Sequence, residues 1–111
     1  MLTMVLITCA STPTYNVVLR NATAEKITGA HVSYAGFRSV GGVLVPGAMA
    51  RQALVQKPVP QKAKVEWRTA DGQLHVKEVA VKTAIPERFS GDITFEILDH
   101  EQVRVSAQGG G

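Results

Sequence analysis

Ala63-Lys64-Val65-Glu66-Trp67-Arg68, followed by Asp71-Gly72 and Leu74-His75-Val76-Lys77, is the stretch that decides the fold. Apolar and polar residues alternate with a period of two on both sides of an Asp-Gly pair. That pattern marks two half-buried strands joined by a tight turn. The alternation places Ala63, Val65 and Trp67 on a dry face and Lys64 and Arg68 on a wet one. Leu74 and Val76 continue the dry face on the second strand. Val79 and Val81 are out of step with them, so a β-bulge is expected over Lys77-Glu78 to return them to the core.

The same period recurs on either side of this hairpin. Tyr15 to Arg20 is rich in β-branched and aromatic residues and reads as the first strand. Ile27 to Ala35 places Ala30, Val32 and Tyr34 on one parity against His31 and Ser33 on the other. Gly36, Gly41 and Gly42 punctuate the region around Phe37, Val40 and Val43 to Val45, and Pro46-Gly47 signals a turn. Residues 48–56 are compatible with a strand or a single helical turn. Pro58 and Pro60 lead into the hairpin, and Ile85 to Phe89 forms a connector. Ile93, Phe95 and Ile97 alternate with Thr94 and Glu96, and a last strand follows over Gln102 to Ser106.

About seven short strands separated by turn signals, with no helical stretch to cross between parallel strands, predict an all-β fold. The expected architecture is a small immunoglobulin-like or transthyretin-like antiparallel β-sandwich. The 111 residues fit one domain. Residues 1–14 read as a signal remnant or tether, 15–108 as the sandwich, and 109–111 as a flexible tail. Six aromatic residues leave Val, Ile and Leu to supply most of the core. One cysteine, Cys9, means that no disulfide forms within the chain.

Chemistry-bearing patterns are sparse. His31, His75 and His100 fall on wet faces or turns, with none of the short spacings that build a metal site. Ser33 and Ser39 lack a nucleophile elbow, and Gly36 to Gly42 lacks the lysine and following helix of a phosphate cradle. Asp71, Asp92, Glu96 and Asp99 read as turn or surface carboxylates. No catalytic residue, metal ligand or cofactor is therefore assigned. An enzyme would need distant residues brought together, such as His31 with Asp99 or His75 with Asp71.

The net charge of +3 is too small to argue for a polyanion. Residues 51–82 nevertheless hold seven Lys or Arg against three acidic residues. Trp67 has the opposite parity to Lys64 and Arg68, which argues against a nucleic-acid face of interleaved aromatics and cations. The exposed set Lys62, Lys64, Arg68 and Lys77 is the expected contact surface for a protein partner.

The N-terminal stretch points to a location. Leu6-Ile7-Thr8-Cys9 closes an apolar run and precedes Ala10-Ser11-Thr12-Pro13, a small and polar segment. It resembles the lipobox of bacterial lipoproteins, although Thr8 stands where that family has Gly, Ala or Ser. The resemblance implies cleavage before Cys9, lipidation of Cys9, and a cell-envelope domain anchored to the membrane and facing the periplasm. Such a signal needs a basic n-region, so a start further upstream is expected with it. The other reading makes Met4, Leu6 and Cys9 part of an edge strand in a cytoplasmic adaptor or oligomerising domain, with the thiol packed as a small apolar group.

Overall fold

The computed structural model describes residues 14–39, 41–81, 85, 89–99 and 101–109. Strand β1 (Tyr15–Asn21) crosses to β2 (Ile27–Tyr34), which is followed by the short strands β3 (Phe37–Arg38) and β4 (Gly42–Leu44). The chain returns through β5 (Met49–Val55), crosses again to the hairpin β6 (Lys62–Arg68) and β7 (Leu74–Ala80), and ends in the hairpin β8 (Gly91–Ile97) and β9 (Val103–Gly109). One sheet has the order β5-β1-β8-β9 and the other β3-β2-β6-β7, with β4 also pairing β2. The two pack as the expected all-β sandwich.

Three features refine the sequence reading. Residues 49–55 form a strand, because pairing along β1 from Arg20↔Met49 to Tyr15↔Val55 outweighs a weak helical preference. The glycine-rich region gives two short strands along one edge of β2, the other edge of which pairs β6. Finally, β1 and β8 run parallel, from Asn16↔Asp92 to Asn21↔Ile97. Their connection passes through the second sheet, so this parallel pair needs no crossover helix.

Between the sheets lies a core of side chains from both inner faces. Tyr15, Val17 and Leu19 of β1 and Ile93, Phe95 and Ile97 of β8 belong to one cluster with Ile27, Val32, Val65 and Trp67 of the other sheet. Each fully buried Val, Ile or Leu contributes roughly 1.5–3 kcal/mol relative to exposure. Ile85 and Phe89 in the connector after β7 are buried in the same cluster.

The β6–β7 hairpin departs from expectation in a way that matters. Its ladder runs from Lys62↔Ala80 to Arg68↔Leu74 without a register shift, so there is no bulge at Lys77-Glu78. The cause is the turn. The Thr69 N–H donates to Gln73 O at 3.1 Å and the Gly72 N–H to Thr69 O at 2.8 Å. The loop is thus three residues, Ala70-Asp71-Gly72, with Gly72 at φ +84°, as in a type I turn ending in a left-handed residue. One loop residue more than the shortest hairpin moves every β7 side chain to the other face. His75 now lies opposite Trp67 and Lys77 opposite Val65, while Val79 and Val81 point inward without a bulge. Leu74 and Val76 face out, 47% and 50% exposed.

Buried polar groups fasten the turns. Asn21 is fully buried. Its Nδ2 donates to Glu25 O and Leu44 O, both at 2.8 Å. Its Oδ1 accepts from the Thr23 N–H at 2.9 Å and the Thr23 hydroxyl at 2.6 Å. Where β3 and β4 leave a gap beside β2, Ser39 Oγ accepts from the Val32 N–H at 2.9 Å in place of a backbone partner. Next to it, a Cβ on Gly41 would sit 1.1 Å from the Ala30 carbonyl oxygen, so only glycine fits.

Two expectations follow for stability. Asn21→Ala lowers unfolding free energy by about 2–4 kcal/mol in urea titrations, because it strands several buried backbone groups at once. The second concerns the hydroxyls of Tyr15 and Tyr34, which lie 2.6 Å apart. Burial pushes both ionisations up, and at Tyr34 the neighbouring Tyr15 hydroxyl pushes further. Above pH about 10 an unfolded tyrosine loses a proton that the folded chain retains, so stability falls as pH rises. With only these two tyrosines in the chain, tyrosinate absorbance should emerge above that pH and together with loss of near-ultraviolet circular dichroism.

Candidate protein-binding face

The outer face of β6 and β7 is built by the hairpin register. Lys62, Lys64, Glu66 and Arg68 project from β6 on the parity opposite to Ala63, Val65 and Trp67. Across the ladder stand Ala80, Glu78, Val76 and Leu74. The result is two exposed apolar side chains bordered by charges of both signs. Exposed apolar side chains on the edge strand beside a row of charges suit contact with another protein.

Of the four cations expected to act together, three do share this face. Lys77 does not, since its register partner is Val65, and it leaves the sandwich at the β7 edge. The shared cations are also partly engaged. Lys62 Nζ lies 3.7 Å from Glu78 Oε1. Arg68 Nη1 donates to Gly72 O at 3.0 Å, fastening the strand to its own turn. Lys64 makes no such contact among the described residues. Glu66 sits beside His31, with Nε2 3.8 Å from Oε2. An exposed ion pair such as Lys62–Glu78 contributes about 0–1 kcal/mol, so its main effect is on which partner fits.

The other sequence candidates fall in three places. Cys9 and His100 lie outside the described residues. His31 accompanies Glu66 rather than Asp99. His75 and Asp71, in contrast, do meet, around Thr69. The Thr69 hydroxyl donates to Asp71 Oδ1 at 2.5 Å and lies 3.4 Å from His75 Nε2. The Thr69 hydroxyl, and then the Gln73 N–H at 3.1 Å, hold the Asp71 carboxyl below the usual range. That makes Asp71 a weak base. Thr69 itself is buried, so the trio fastens the turn rather than presenting a nucleophile. His75 stacks on Trp67 with ring centroids 5.5 Å apart and a 14° interplanar angle. Among the described residues no group of three or more His, Cys, Asp or Glu side chains converges as metal ligands. No helix of the described residues is long and apolar enough to cross a membrane.

No protein-family profile and no curated protein matches this sequence. A solved structure does. The NMR structure of a protein from Eubacterium rectale superimposes with a TM-score of 0.57 over 93% of this chain and 96% of that one. At 16% identity the likeness is one of fold alone. It places the chain among β-sandwich domains and carries no activity with it.

Leu74 and Val76 were the residues that sequence reasoning missed on this face, because an Asp-Gly pair serves two-residue and three-residue loops alike. The two registers predict opposite outcomes. With Val76 facing solvent, Val76→Lys should change unfolding free energy by no more than about 0.5 kcal/mol. Val79→Lys, which buries a charge in the core, should cost several kcal/mol or abolish folding. Thermal melts of the two variants check this directly.

Proposed function

We propose that the chain is a non-enzymatic binding or structural domain of the cell envelope, tethered through Cys9. It contacts a protein partner with the outer face of β6 and β7. One observation carries the contact surface: Leu74 and Val76 stand about half exposed on a face that also presents Lys62, Lys64, Glu66 and Arg68. Burying two such side chains in a partner is favourable by roughly 1–2 kcal/mol each at this exposure. The charges around them select the partner and its orientation. The tether rests on the lipobox-like Leu6-Ile7-Thr8-Cys9. Stable anchoring takes two or more acyl chains, since a single one holds only marginally.

The test uses the full upstream reading frame expressed in the native host. Intact mass from the membrane fraction should show a chain beginning at Cys9 with added acyl mass. A chain retaining Met1 to Thr8 defeats the anchor. A photo-crosslinking residue at Val76 should give a discrete adduct, with none from Ala53 on the other sheet. The adduct should be lost in the Lys64→Glu, Arg68→Glu double variant, whose melting temperature is measured alongside. An adduct unaffected by charge reversal, or none at all, removes the face from the proposal.

A further inference from the structure

The opposite side of the sandwich carries a site of different chemistry. On the outer face of the β5-β1-β8-β9 sheet lies a half-open depression of about 390 Å³, within the size range of small-molecule sites. Strand register explains its shape. Arg20, Glu96 and Arg104 form one cross-strand row and make a rim. In the next row along the strands Thr94 stands beside Ser106, and their short side chains line the depression. Gln108 closes the far side.

The charges of the rim are unequally spent. Arg104 Nε donates to Glu96 Oε1 at 3.0 Å, and Arg104 Nη2 contacts the same oxygen. Arg20 Nη1 stands 3.6 Å from Glu96 Oε2, outside hydrogen-bond distance. Among the described residues the Arg20 guanidinium makes no hydrogen bond, and neither do the side chains of Thr94, Ser106 and Gln108. The Glu96 side chain is only 13% exposed and is matched by Arg104. The site therefore keeps one positive charge in excess, on a planar fork of unused donors, beside two hydroxyls and an amide.

We propose that this depression binds a sugar that carries one carboxylate. A guanidinium fork matches a carboxylate through two parallel hydrogen bonds. Thr94, Ser106 and Gln108 offer donors and acceptors to ring hydroxyls, and Glu96 Oε2 accepts from one more. The fixed carboxylate of Glu96 sets the charge of the ligand. It is compatible with a monoanion held on Arg20 and repels a dianion such as phosphate. No aromatic side chain is among the lining residues, so the ligand is held by its polar groups and not by stacking.

The experiment is a titration of the uniformly 15N-labelled protein with sodium glucuronate, followed by amide shifts. Parallel titrations use glucose and inorganic phosphate. Glucuronate should give saturable shifts at Thr94, Glu96, Ser106 and Gln108, with glucose at least about tenfold weaker. Arg20→Gln should weaken glucuronate binding about tenfold or more at an unchanged melting temperature. Arg20→Lys, which keeps the charge without the fork, should fall between. The proposal is overturned by the absence of saturable shifts up to about 10 mM glucuronate, since one ion pair with a few hydrogen bonds belongs in the millimolar range or tighter. It is equally overturned by an equal response to glucose, a stronger response to phosphate, or an Arg20→Gln variant that binds as the parent does.

Discussion

The Asn21 side-chain amide is where the two sheets are joined. It sits at the end of β1, and its four hydrogen bonds reach the β1–β2 turn and the last residue of β4. The backbone of the same residue donates to Ala48 O at 3.0 Å and accepts from the Gly47 N–H at 2.7 Å. One buried polar residue thus fixes two of the crossings between sheets. Everything built on the sheets depends on these crossings, because they set which residue of each strand enters the core first. In a low-dielectric interior a network of this kind is favourable only when complete, and at Asn21 it is.

Much of the sandwich was legible in the sequence, since the period of two is a direct imprint of a sheet with one wet face. The strands β1, β2, β6 and β8 lie where Tyr15, Ile27, Ala63 and Ile93 announce them. The misreading of β7 is instructive. Alternation tells which residues share a face but not which face, and in a hairpin that choice belongs to the loop. Leu74 and Val76 read as core because apolar residues usually are. Their exposure follows from Ala70 joining the turn, a matter of one residue that the Asp71-Gly72 pair does not reveal. Gly36, Gly41 and Gly42 mark an interruption in the sequence, but they do not reveal that the broken β3–β4 edge rests on Ser39 and Gly41 fitting against β2.

The depression beside Arg20 was less legible still. Its residues come from β1, β8 and β9, and their proximity rests on the parallel register between strands 76 positions apart. Arg20, Glu96 and Arg104 each read as an ordinary solvent-facing charge within its own strand. Only the ladder puts the single carboxylate between the two guanidinium groups. The cation set on β6 was easier, because Lys62, Lys64 and Arg68 share one strand and one parity. Lys77 was grouped with them through the same register error that hid Leu74.

The parallel contact between β1 and β8 also fixes the order of events during synthesis. β1 occupies an interior position of its sheet, yet one of its two neighbours, β8, is synthesised long after it, 76 positions further along the chain. Until β8 is made, β1 can pair within its own sheet only with β5, and its second edge stays open. Long-range pairings of this sort are slow and leave sticky intermediates exposed. This sheet therefore cannot close before β8 is made, and a ribosome stalled before residue 91 would release a fragment in which β1 lacks its second neighbour.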